Sequence, residues 1–384
     1  MFPRKGAGDT RESFSLKREK TTTSILKDMK KTLFSLLLLA LLAVSCSPKP
    51  ENPLAGTPYK RITAFPVEKQ LTGACLDTVP IGAIWVYPVD TFLIYKIKNQ
   101  PKMWSVWDKR TLKHRVDLWS QGNAPTEIVS LAYMRQYFVR DTGIVVPVLD
   151  INRRRVLELD LTASVEKGEE VLVDTSLVRL ENTCFKVFKH TDSTWIGVSP
   201  DFGAQKMVCL EIDGKTGKAT GKEYAALTGL ASPNDLMFLS AEYALRPGGD
   251  KIASAMTSLN QLNIIDLEHP EKTCSVVYGK YTDAKALLEE KSMKDRIQYY
   301  NDVVVTDSLI YALYLNMPSN EYVEENTHVE IHVLDWEGHP KVLYRLDSIP
   351  GASSLAIDEQ GENLYVRCAG GEREESVYKC ALNG

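Results

Sequence analysis

Cys209-Leu210-Glu211-Ile212-Asp213-Gly214-Lys215-Thr216-Gly217 carries alternating apolar residues, then an acid, then a glycine-rich turn. Alternation predicts a half-buried strand. The Asp that ends it can cap the turn through its own side chain, which makes Asp213–Gly217 hairpin chemistry. The same reading applies to Trp104-Ser105-Val106-Trp107-Asp108, Leu157-Glu158-Leu159-Asp160, Asn263-Ile264-Ile265-Asp266 and Ile331-His332-Val333-Leu334-Asp335. A last copy, Val377-Tyr378-Lys379-Cys380-Ala381, lacks the acid. The acids stand 52, 53, 53 and 69 residues apart, and the last copy follows after 46.

Two further strand-like runs precede each copy, as in residues 185–188 and 195–198, 302–306 and 309–315, or 355–358 and 364–368. Each unit of about fifty residues is then a four-stranded antiparallel meander. Six such units, none able to bury its own faces, close radially. The expected fold is therefore all-β: a six-bladed β-propeller of four-stranded antiparallel blades with one short helical insertion. Residues 59–75 precede the first full unit and are expected to pair with the last, closing the ring. The 69-residue gap holds the insertions. Residues 282–297 read as the helix, with Thr282 and Asp283 as capping types and an apolar stripe of Leu287, Leu288, Met293 and Ile297. Residues 316–327 read as an acidic loop. Together these insertions either cover a sheet edge or form a lid or contact surface over one mouth of the ring.

Upstream of the repeats lies an address. Met29-Lys30-Lys31 is a positive start, residues 33–44 are apolar, and Ser45-Cys46 ends the run. The apolar run is too short to span a bilayer with margin, so it reads as a secretory signal peptide. The small residue before Cys46 resembles a bacterial lipobox, with Ala43 where Leu is usual. That resemblance implies cleavage before Cys46 and acylation of its thiol. The expected organisation is an upstream extension at 1–28 with the true start at Met29, a lipoprotein signal at 29–45, a lipidated linker at 46–58 and the propeller at 59–384. Ser47 after the cysteine points to the outer membrane.

Without residues 1–45, which hold nine basic and four acidic residues, the chain keeps 37 basic and 46 acidic residues and a net charge near −9. An acidic chain with no basic cluster is not built for nucleic acid, and a monomer is expected. Six cysteines remain besides Cys46, widely spaced and without C-x-x-C, so neither zinc nor a redox motif is indicated. Most read as buried small hydrophobes, with Cys368–Cys380 the best disulfide pair.

After the first unit comes Ser120-Gln121-Gly122-Asn123-Ala124-Pro125-Thr126-Glu127-Ile128. With the lipobox and the six-unit ring, it resembles the TolB-like six-bladed propeller lipoproteins of Bacteroidetes. Those carry Gly-x-Gly-Pro-Gly-Glu-hydrophobic at this place. Gly122, Pro125 and Glu127 match, while Ala124 and Thr126 replace two glycines. The resemblance implies the fold and the outer-membrane location, while a rigid ring whose loops and channel mouth offer a ligand surface points to a binding or interaction module for a protein or an extracellular polymer.

A rival reading starts from two units that open alike, Ser232-Pro233-Asn234-Asp235-Leu236 and Tyr300-Asn301-Asp302-Val303. Innermost strands line the channel, so Asn234, Asp235, Asn301 and Asp302 could gather oxygen ligands for Ca2+. This pattern resembles the calcium-dependent gluconolactonase propellers, in which a metal polarises a lactone or ester. His328-Val329-Glu330-Ile331-His332 places two histidines and a glutamate on one strand face, expected to be solvated. Arg153-Arg154-Arg155 reads as a solvated turn. No nucleophile elbow, phosphate-cradling loop or dinucleotide fingerprint occurs.

Overall fold

The computed structural model describes residues 52–54, 56–124, 127–141, 143–173, 178–228, 239–282, 287, 296–318, 329–369 and 375–382. Three short strands come first: β1 (Tyr59–Ile62), β2 (Glu68–Gln70) and β3 (Ala74–Cys75). Blade one is β4 (Ala83–Val89), β5 (Phe92–Ile97), β6 (Lys102–Asp108) and β7 (His114–Ser120). Blade two has β8 (Leu131–Tyr133), β9 (Phe138–Arg140), β10 (Gly143–Asp150), β11 (Arg155–Asp160), helix α1 (Leu161–Lys167) and β12 (Val178–Arg179). Blade three is β13 (Lys186–Lys189), β14 (Thr194–Asp201), β15 (Lys206–Asp213) and β16 (Ala219–Leu227). Blade four is β17 (Ala241–Leu245), β18 (Lys251–Met256), β19 (Leu262–Asp266) and β20 (Cys274–Tyr278). Blade five is β21 (Ile297–Val305), β22 (Leu309–Pro318), β23 (Glu330–Asp335) and β24 (Pro340–Arg345). Blade six is β25 (Ala352–Ile357), β26 (Asn363–Ala369) and β27 (Glu375–Ala381), completed by β3.

The predicted copies are the third strands, and the acids cap as expected. Asp108 accepts from the backbone of Arg110 and Thr111, Asp213 from Lys215 and Thr216, Asp266 from Glu268 and His269, and Asp335 from Glu337 and His339. Asp160 does something else: it is the N-cap of α1, accepting from Ala163 N, and Gly168 closes that helix in the left-handed region.

Six apolar clusters fill the six gaps between neighbouring blades. Trp104 and Leu118 of blade one meet Val146 and Leu157 of blade two. The last gap joins Val377 and Tyr365 of blade six to Val86 and Leu93 of blade one. Strands inside a blade are therefore covered on both faces. The half-buried expectation fails for that reason: β19 is buried at every residue.

Ring closure is more extended than expected. Only Ala74 and Cys75 pair with the last blade, antiparallel to β27. Before that, β1 runs parallel to β20 and β2 runs parallel to β24. Leu54 already bridges Leu227 on the rim of blade three. The segment is a strap along the outer edges of blades three to six. At its end Gly73 lies so close to blade six that a Cβ there would sit 2.5 Å from Cys380 Sγ.

The expected helix at 282–297 falls largely outside the described residues. Its end is corrected: Ile297 opens β21, the inner strand of blade five, because its run continues into the bulged pairing with β22. Of the stripe, Leu287 is buried against blades three and four. Residues 319–327 of the acidic loop lie outside the described residues.

Candidate functional site

The inner strand of blade two is broken. β8 and β9 both pair with β10, and residues 134–137 between them leave the ladder. Arg135 sits in this gap with φ +55°, a left-handed conformation uncommon for a branched-chain or long residue. The break turns its side chain into the channel. Its Nη1 lies 2.8 Å from Asp302 Oδ1 and donates to the carbonyl of Val303 at 2.7 Å. Blades two and five are opposite one another, so this pair spans the ring. Asp302 also sits at an irregularity, where the register of β21 against β22 shifts between Tyr300 and Asp302.

The Asp302 carboxylate is fully buried, and both of its oxygens accept hydrogen bonds. Oδ1 accepts from its own neighbour Val303 N at 2.8 Å, and Oδ2 from Leu355 N of blade six at 2.8 Å. Burial pushes its carboxyl above the ordinary carboxylate range, against the pull of Arg135. The guanidinium lies over the Trp85 ring of blade one, 5.3 Å from the centroid. Lys186 of blade three and Glu242 of blade four form a second pair at 2.8 Å. Burial opposes the Glu242 charge, but Lys186 and Arg135 hold its carboxyl below the ordinary range. The two pairs and their contacts together draw a group from each of the six blades.

Two of the four predicted oxygen ligands are bound to protein partners. Asp302 is committed to Arg135. The Asn301 amide donates to Ser353 O at 2.6 Å, and its oxygen accepts from Gln298 at 2.5 Å. Asn234 and Asp235 lie outside the described residues. Among the described residues, no group of three or more His, Cys, Asp or Glu could hold a metal. Arg135 had no motif; the only local trace is the short apolar run of β8 stopping at a Met-Arg-Gln.

The family model described as TolB-like 6-blade propeller-like matches residues 88–359. The chain belongs to that family. No curated protein matches. Among solved structures, a putative exported protein from Bacteroides fragilis is 10% identical, with 84% of this chain and 99% of that one covered and a TM-score of 0.49. A member of the duf4221 family from Bacteroides vulgatus is 13% identical over 87% and 96%, with a TM-score of 0.48. The β-propeller domain of Cps50 (Swd1) from Myceliophteria thermophila is 13% identical over 81% and 100%, with a TM-score of 0.40.

In this TolB-like propeller the segment carrying the family resemblance is held by the arginine run. Arg153 Nη1 donates to Ala124 O and Glu127 O, and Arg155 Nη2 to Glu127 O. Arg155 also pairs with the buried Asp150 at 3.2 Å. The run is not a solvated turn: the acid beneath it and the carbonyls beside it take up its charge and its donors.

His332 is likewise not solvated. It is fully buried between blades four and five, its ring stacked on Tyr314 at 4.2 Å and touching Tyr278 and Phe65 of the strap. Nδ1 is 3.1 Å from Tyr300 Oη and Nε2 3.4 Å from Glu330. The third strand has blades on both sides, so neither face reaches solvent. Burial pushes the imidazole pKa down, and Glu330 only partly offsets it. His328 lies outside the described residues.

The cysteine expectation is corrected by register. Cys368 stands opposite Ser376 and Cys380 opposite Leu364, so the two thiols are offset along the pair and both are free.

A groove of about 470 Å³ opens between blades two and three. Arg154, Glu181, Asn182, Asp201, Lys222 and Phe202 line it, and Phe202 is 63% exposed.

Proposed function

We propose that this TolB-like propeller is an outer-membrane lipoprotein, anchored through Cys46, that works as a binding module for a protein or extracellular polymer. The observation that supports this reading is the groove between blades two and three. Its floor is the rigid sheet of blade three, its rim mixes both charge signs with amide and hydroxyl groups, and Phe202 stands in it largely exposed to water. An aromatic ring left in solvent beside fixed polar groups is the composition of a contact site. Among the described residues, the channel carboxylates Asp302 and Glu242 are already paired, which favours the groove over the rival metal chemistry.

Two measurements test the reading. Labelled palmitate should enter the cell-expressed protein and fail to enter Cys46→Ser; equal labelling of both removes the anchor. A photo-reactive residue at Phe202 should cross-link one discrete species that the same residue at Lys215 on an exposed turn does not. Identical products from both positions would remove the groove from the proposal.

A further inference from the structure

Between β1 and β2 the strap changes blades, so residues 63–67 cross the gap between blades four and five. From Thr63 to Gln70 every residue is exposed except Phe65, which is 6% exposed. The Phe65 ring stands 4.9 Å from the His332 ring and 5.6 Å from that of Tyr278, between centroids. Lighter contacts stand beside it. Leu343 N donates to Val67 O at 2.9 Å, and β2 adds a ladder of three residues. Arg345 joins Glu68 of the strap at 2.9 Å to Glu330 at 3.1 Å. The Arg345 and Glu68 side chains are largely exposed, and pairs open to water contribute little.

His332 closes the other side of this contact. Tyr314 of β22 and Tyr278 of β20 lie against its ring, Tyr300 of β21 meets Nδ1, and Glu330 of its own strand lies 3.4 Å from Nε2. Burial pushes the imidazole below its ordinary range, and Glu330 offsets this only in part. Burial pushes the three tyrosine hydroxyls up, so they stay protonated and bring no charge to the pocket. A proton taken up here therefore calls for water. Blades four and five wall the pocket with packed sheets, whereas the strap covers it with one ring on an exposed crossing.

We infer that the Phe65–His332 contact is an acid-released latch that holds the strap across blades four and five. With the latch closed His332 is neutral; with Phe65 lifted it meets water and regains its ordinary value of about 6.5. The closed state is thus fully favoured above that value and loses ground as pH falls through the lower closed one. Opening is local, and it bares the outer edge of β24 to another strand. The latch goes beyond the groove on blade three and needs neither the anchor nor its partner.

The test is amide hydrogen exchange of protein starting at Ser47 at pH 7.5 and 5, corrected for the intrinsic pH dependence of exchange. Protection of residues 63–71 and 343–346 should fall about tenfold at the lower pH, while that of residues 194–213 in blade three stays unchanged. His332→Gln should remove the fall, although Glu330, Arg345 and Glu68 remain. Should His332→Gln not fold, Phe65→Ala serves: residues 63–71 should already be unprotected at pH 7.5 and change little at pH 5. Equal protection of the strap at both pH values overturns the inference. So does a fall that persists in His332→Gln, which assigns it to the carboxylates, or a fall shared by blade three, which marks global unfolding. A fall in Phe65→Ala as large as in the parent overturns it as well.

Discussion

Arg135 and Asp302 join opposite sides of the ring through a 2.8 Å ion pair, each placed by a defect in its own inner strand. The broken strand of blade two projects the guanidinium, and the bulge of blade five aims the carboxylate. Asp302 then passes the connection to blade six through Leu355 N. The channel is thereby tied across its diameter, in addition to the apolar packing around it.

Removing one partner should cost more than removing both. Arg135→Met leaves a carboxylate buried without its cation, and a loss of about 3–5 kcal/mol in urea unfolding is expected. Arg135→Met combined with Asp302→Asn keeps an acceptor for Leu355 N and should recover more than half of that loss. Equal losses in the single and double variants would show that the stranded carboxylate is not the source of the cost.

His332 should make stability depend on pH in a defined window. Its folded pKa lies below the unfolded value of about 6.5, so the unfolded chain binds the proton more readily. The contribution of His332 is complete above that unfolded value and is lost as pH falls through the lower folded one. The neighbouring Glu330 is itself held below its ordinary value, first by the His332 hydrogen bond, so its own window lies at lower pH. Urea midpoints measured from pH 7.5 to 5 should fall in the parent and fall less in His332→Gln. Identical slopes would mean that His332 titrates normally.

Native thiols should react unequally. Burial pushes Cys184, Cys209 and Cys368 up to about 12 and Cys380 up to about 11, while Cys75 is part-exposed on the strap. Iodoacetamide at pH 8 should modify Cys75 alone in the folded protein starting at Ser47, and all six cysteines after denaturation. A mass deficit of two hydrogens removed by reductant would instead reveal a disulfide.

Gly73→Val should loosen ring closure. The added Cβ would meet Cys380 Sγ at 2.5 Å and the Lys379 carbonyl at 3.0 Å, so β3 must shift away from β27. Amide exchange in residues 375–381 should accelerate while that in the inner strands of blades two and three stays unchanged. Unchanged exchange in β27 would show that the strap end does not hold blade six.

The cadence of acids made the propeller legible, because each third strand ends in a turn that needs a local cap. Asp108, Asp213, Asp266 and Asp335 announce those turns in the chain itself. Asp160 followed by Gly168 was also readable as the two ends of α1, but the repeat favoured another hairpin. The strap was half-legible: its residues read as strand, but partners on three blades cannot be read from β1, β2 and β3. The channel pair was not legible. Asp302 stood out as an Asn-Asp opening and suggested a metal, whereas its partner comes from a strand break around Arg135 that has no motif. His332 was misplaced because alternation marks one buried face, and burial of both faces is a property of the assembled ring.

The strap along blades three to six sets an order of events during synthesis. Residues 54–75 emerge before every blade, but β1 has no partner until Cys274–Tyr278 exists, and β3 none until Glu375–Ala381 is made. Until then the outer edges of the completed blades stand unpaired, each a template for another strand. A segment made before every blade thus takes its final seat only when the last strand of the ring is complete.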